Sequence, residues 1–227
     1  METITYQCKH VVSWNDRTDR LVRMDFSKEN NRWNDEVTRD EHLFKEKVEH
    51  FLLQEQAIYG IGGYNELRTI YAVSEVFGKH AEEPRRLHIG MDIWGRAGTT
   101  VFAPLKGSIH SFAFNNRYGD YGATIILKHV FTSCTFYTLY GHLCLNDLAG
   151  IQEGDVIEAG QAFAHFGDLC ENGHWPPHLH FQIIKDMQGM KGDYPGVCKQ
   201  SEAAFYLKNC PNPDLILQMM PFAIIAK

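Results

Sequence analysis

From residue 87 the chain breaks into short apolar runs: TTVFA, GSIHSFAF, ATIILKHV, CTFYTLYGHL and HLHFQII. Gly, Asn and Asp punctuate them. Runs this short, rich in β-branched and aromatic residues and bounded by turn formers, predict an all-β sandwich or barrel. Gly154, Gly160 and Gly167 mark further turns within this stretch. The central region is therefore expected to be mainly β.

The flanks read differently. Leu43, Phe44, Val48, Phe51 and Leu52 make one apolar stripe, which predicts a helix over 40–57, and Thr38 with Glu41 suggests a capping box ahead of it. A second helical stretch is expected over 64–77, after a glycine break at Gly60–Gly63, and a charged connection over Lys79–Arg86. Residues 1–35 are polar and carry no clear pattern. Past residue 190 glycine and proline return, with a short helix expected over 200–208. The division that follows is an N-terminal, partly helical extension over 1–84, a β domain over 85–190, and a C-terminal extension over 191–227 that packs on it.

A net charge of -6 with no basic run argues against nucleic acid as a partner, because phosphate affinity rests on Lys and Arg. No apolar run reaches the ~18 residues needed to span a bilayer. The N-terminus lacks a charged start followed by an apolar segment, so a cytoplasmic location is expected, or export if a leader has been removed. The six cysteines, Cys8, Cys134, Cys144, Cys170, Cys198 and Cys210, are scattered without a CxxC pair. Free thiols are expected, and a thiolate metal site is not.

Histidine spacing carries the chemistry. In His88-Ile-Gly-Met-Asp92, strand alternation puts His88 and Asp92 on one face, with Gly90 leaving room between them. In His178-Leu-His180 two imidazoles share a face, and Tyr140-Gly-His142-Leu ends a cleanly alternating strand. An isolated HxxxD is a weak signal and an isolated HxH a somewhat better one; together they point to a metal. Catalytic zinc takes three N/O protein ligands and leaves one position open, so four histidines and an aspartate exceed what it needs. A closed structural zinc site could use four of the same residues, and the spacing alone does not separate the two. His10, His42, His50, His80, His110, His129 and His165 show no paired spacing and read as ordinary. His174 lies near the HLH segment and is placed at the cleft. Trp33, Trp94 and Trp175 read as packing residues.

The ordered set HIGMDIWGRAGTTVFAPLKGSI, TFYTLYGHL, GDVIEAGQAFAHFGD and PPHLHFQI resembles the LytM/lysostaphin-type zinc endopeptidases over roughly 85–190. The resemblance implies a mostly antiparallel β-sheet groove of the duplicated-hybrid-motif type, with zinc at its floor. It implies His88, Asp92 and His180 as zinc ligands and His142 and His178 as catalytic histidines, acting on a peptide, typically a peptidoglycan cross-link or other glycine-containing peptide; Tyr140 and His174, from their places in the sequence, are expected beside that substrate. The segments DYGATIILKH, FYTLYGHL, ENGHWPPHLHFQ and GDYPGV are closer to the peptidase-like domains embedded in large cytosolic aminotransferase-containing proteins. No HExxH occurs, so a glutamate base of that type is not available. The competing expectation is a catalytically silent or regulatory zinc-binding domain.

Overall fold

The computed structural model describes residues 8–73, 75–78 and 81–226. His80, the start of the charged connection and the first seven residues of the N-terminus lie outside them. In chain order the strands are β1 (Leu21–Arg23), β2 (Tyr59–Gly62), β3 (Glu66–Leu67), β4 (Leu87–His88), β5 (Met91–Trp94), β6 (Thr100–Phe102) and β7 (Gly107–Asn115). They continue as β8 (Gly122–Val130), β9 (Thr135–Leu143), β10 (Val156–Ile157), β11 (Ala162–His165), β12 (His178–Ile184), β13 (Val197–Cys198) and β14 (Ala223–Ile224). The helices are α1 (Asp35–Thr38), α2 (Glu41–Gln54), α3 (Ala203–Asn209) and α4 (Asp214–Leu217).

The protein is mainly β, as its central texture predicts. Nine strands form one sheet in the order β10-β7-β8-β9-β12-β5-β2-β1-β14. It is antiparallel from β10 to β2, and β1 runs parallel to both β2 and β14. Two small sheets, β11-β6 and β13-β4-β3, complete the layer.

Strand β12 shows how the sheet sorts its side chains. Leu179, Phe181 and Ile183 enter the main core with Met91, Ile93, Ile125, Leu127 and Tyr140. His178, His180 and Gln182 alternate with them and are buried on the opposite face. Three consecutive polar side chains on one buried face need partners, because an unpaired buried polar group costs about 1–3 kcal/mol. That face is where the candidate site lies.

Helix α2 buries Phe44, Val48, Phe51 and Leu52 of the stripe read from the sequence against Trp33, Trp94 and Trp175, while Leu43 is only half-buried. Each such side chain contributes roughly 1.5–3 kcal/mol on burial. Its cap is Asp40, whose Oδ1 accepts from His42 N and Leu43 N, both at 3.0 Å. The expected Thr38–Glu41 box does not form, because Thr38 closes α1 and its hydroxyl donates to Asn34 O.

The expected helix over 64–77 is also absent. Gly63 (φ +103°) and Asn65 (φ +56°) reverse the chain, Glu66–Leu67 pairs with Leu87–His88, and short 3-10 turns follow at Ile70–Val73 and Glu75–Phe77. Leu67, which would lie on one side of that helix with Tyr71 and Val76 or Phe77, is exposed. Cross-strand pairing here overrides local helical spacing. The helix expected over 200–208 is present as a 3-10 turn leading into α3. All six cysteines are free.

Candidate metal centre and its pocket

Each polar residue of the site is delivered by strand register. Asp92 in β5 lies opposite His180 of β12 on one side and Gly62 of β2 on the other. His88 in β4 lies opposite Glu66 and Val197. Strands β4 and β5 belong to different sheets, and the chain crosses between them at Ile89–Gly90. The face-sharing expected of His88 and Asp92 therefore survives a change of sheet. A Cβ at Gly90 would overlap the His180 ring, so only glycine fits there.

His88, Asp92 and His180 converge, all buried. His88 Nε2 is 3.0 Å from His180 Nδ1, which is 3.1 Å from Asp92 Oδ1; the third side, His88 Nε2 to Asp92 Oδ1, is 3.4 Å. The protons can be placed from the outer partners. His88 Nδ1 donates to Gly63 O at 2.8 Å, which leaves Nε2 a lone pair. Gln182 Nε2 donates to Pro195 O at 3.1 Å, which turns its Oε1 toward His180 Nε2 at 2.9 Å. His180 Nε2 is thus the donor and Nδ1 the lone pair.

Two nitrogen lone pairs and a carboxylate oxygen therefore face one another at 3.0–3.4 Å with no proton among them. Such a group is repulsive unless a cation sits within it. Tetrahedral coordination with bonds of about 2.0–2.1 Å spaces ligand atoms about 3.3 Å apart. The donor set and its spacing fit a metal ion. Burial, followed by the Arg68 charge, pushes His88 down to about 4, which keeps it neutral. Burial pushes Asp92 up, but His88 and Arg68 outweigh it and hold the carboxyl well below the usual range.

His142 and His178 stand beside this group. Their rings are 4.1 Å apart between centroids. His142 Nδ1 donates to Asn172 O at 2.7 Å and His178 Nδ1 to Pro176 O at 2.8 Å, so each holds Nε2 as a free acceptor. Burial lowers both, His178 to about 4, and the neighbouring His178 lowers His142 further. Trp94 stacks on His178 at 4.0 Å, so this tryptophan orients a site residue as well as filling the core.

All five residues line one pocket of ≈ 190 Å³, open to solvent. Segments from both flanks wall it, including Tyr71 and Phe77 on one side and Asp193–Val197 on another. Tyr71 meets Trp175 edge to face at 6.0 Å.

The structure does not bring Tyr140 or His174 into this pocket. Tyr140 is fully buried in the opposite core, between Phe163 and Phe181. Strand alternation would put it on the His142 side, but β9 carries a register shift against β8 and His142 has φ +63°. The left-handed residue turns His142 to the site while Tyr140 keeps the core face. Tyr140→Phe is expected to leave catalysis unchanged and to cost about 1 kcal/mol in a urea melt, by removing the hydrogen bond from Thr138 Oγ1. His174 sits at the surface, 2.7 Å from Glu41 of α2 and stacked on Tyr118.

Sequence reasoning missed Arg68, Asn172 and Gln182, and also Tyr121, whose Oη lies 3.4 Å from His180 Nε2. For Gln182 there was a signal, since it lies two residues after His180 on the same strand face. Asn172 lies within ENGHWPPHLHFQ, six residues before His178, but acts through its backbone carbonyl, which residue type does not reveal; Arg68 comes from a distant segment with no motif to flag it.

The sheet floor thus turns five buried polar side chains into one pocket. Residues 86–192, just under half of the chain, match Peptidase family M23. The L-Ala--D-Glu endopeptidase of Bacillus subtilis (strain 168) is 30% identical over 127 residues, covering 53% of this chain and 36% of that relative. The chain thus spans about a third of the curated relative it matches. Among solved structures, a zinc-containing peptidase from Vibrio cholerae is 25% identical, covers 43% of this chain and 27% of its own, and superposes with a TM-score of 0.35. The catalytic domain of lysostaphin from Staphylococcus simulans is 24% identical, covers 53% and 80%, and gives 0.36.

Proposed function

We propose that this chain is a zinc-dependent peptidase acting on peptidoglycan-type or other glycine-containing peptides, with zinc held by His88, Asp92 and His180. The observation that carries this reading is the meeting of three proton-free donor atoms beside two further imidazoles whose Nε2 atoms are also free. Zinc bound there supplies a Lewis acid for the scissile carbonyl and lowers the pKa of water from 15.7 to roughly 7. The chain supplies the rest. His142 and His178 are neutral at neutral pH and fixed in one tautomer, so each can take a proton at Nε2 and return it to the departing amine. The hydrogen bonds from Nδ1 to Asn172 O and Pro176 O steady the imidazolium that forms. The substrate class rests on the family and on the named activity of the Bacillus subtilis relative.

Metal analysis with a cleavage assay tests this. The purified protein should hold one zinc per chain, lose cleavage of peptidoglycan stem peptides and short glycine peptides on chelation, and regain it on adding zinc. Cleavage that survives complete removal of metal would sink the proposal. Stoichiometric zinc with no hydrolysis of any peptide would favour the catalytically silent domain instead.

A further inference from the structure

Arg68 lies outside the family match, yet it is part of the metal centre. Its guanidinium is buried, and Nη1 donates to Asp92 Oδ2 at 2.5 Å and to Tyr71 Oη at 2.9 Å. Nε donates to Glu66 Oε2 at 2.6 Å. Register delivers it: Glu66 pairs with His88 across β3 and β4, so Arg68, two residues on, returns to the same face. Gly63 lets it pass, because a Cβ there would collide with the guanidinium. The two oxygens of Asp92 thus have separate duties. Oδ1 faces His88 Nε2 and His180 Nδ1, while Oδ2 is taken by Arg68.

We propose that Arg68 is a positioning residue that holds Asp92 to one-oxygen coordination and so keeps the fourth position of the zinc open. A carboxylate free at both oxygens can chelate through both and fill the position that catalysis needs. A guanidinium beside a dication is otherwise unfavourable. Here the Asp92 carboxylate stands between the two, and the rings of Phe26 (5.2 Å) and Tyr71 (5.8 Å) pack on the faces of the guanidinium. The alternative is a peg, in which Arg68 only ties the N-terminal segment to the domain through Glu66, Tyr71 and Asp92.

This inference rests on the proposed metal site, so its test begins with cobalt uptake by the full chain. Cobalt(II) replaces zinc and reports coordination number by its visible absorption, intense when four-coordinate and severalfold weaker when five-coordinate. Wild type should take up one cobalt per chain and give the intense spectrum. Arg68→Met should take up cobalt but absorb severalfold more weakly, and Arg68→Lys should restore the wild-type spectrum, because an ammonium can also hold Oδ2. Glu66→Gln breaks the peg but spares the Asp92 bond, and should leave the spectrum unchanged. An unaltered spectrum in cobalt-loaded Arg68→Met overturns the proposal. So does a weakened spectrum in Glu66→Gln, which would assign the effect to docking of the segment. If Arg68→Met does not fold, Arg68→Lys decides alone, and a weakened spectrum there overturns the proposal. Failure of wild type to bind cobalt at all would remove the metal site itself, a result distinct from every one of these.

Discussion

Replacing His178 or His142 by alanine is expected to lower turnover by about 10²–10⁴-fold while zinc content stays at the wild-type level. The argument is geometric. Neither imidazole belongs to the His88–Asp92–His180 group, and each is held through Nδ1 by a backbone carbonyl that the substitution leaves in place. The two variants should not multiply. Their rings are 4.1 Å apart, and residues that act as a unit lose most of their effect with the first removal. The sign of the pH dependence follows from burial. Protonation of His178 removes a base, and burial pushes it down to about 4, so activity should persist on acidification past the ordinary histidine value and fall only towards about 4. Kinetic profiles of both variants with metal analysis on the same samples check this. Full turnover in either variant, or loss of zinc along with turnover, would contradict the division of roles.

The second large effect is expected from a single methyl group. Gly90→Ala places a Cβ against Cε1 and Nε2 of the His180 ring. That ring has nowhere to go: it is buried, bonded through Nε2 to Gln182, and 3.4 Å from Tyr121 Oη. Overpacking of a well-filled site costs about 1–3 kcal/mol. The functional cost should be larger, because displacing Nδ1 opens the donor triangle. Loss of orientation at metal centres typically costs 10–100-fold in affinity. Competition against a chromophoric chelator measures it, and wild-type zinc affinity in Gly90→Ala would refute the account.

How much of this could be read beforehand differs element by element. The β domain announced itself because its strands alternate, and HLH needed only period-two geometry to place two imidazoles together. Asp92 and His88 were legible for the same reason. Tyr140 was misplaced because one left-handed residue, His142, reverses the facing of a strand, and nothing local in Tyr140-Gly-His142 says so. The segment 64–77 was misread because its helical spacing is real but weaker than pairing with a strand some twenty residues away. Arg68 was invisible for a related reason: a cation in a polar loop acquires its role only when β3 meets β4.

The extent of the sheet has a consequence for how the site behaves as a thermodynamic unit. Strand β2 covers the edge of β5 that carries Asp92, β1 covers β2, and β14 covers β1. The hydrogen-bond ladder therefore runs unbroken from the metal centre to residues near both ends of the described chain, well outside 86–192. Fluctuations that open such a ladder tend to do so cooperatively, as a contiguous block. Amides of β2 and β5 should then exchange with solvent at a common rate, and fraying at β14 is tied to the order of a carboxylate five strands' worth of ladder away from the far edge at β10. Order at β1 and β14 and order at Asp92 are therefore expected to rise and fall together.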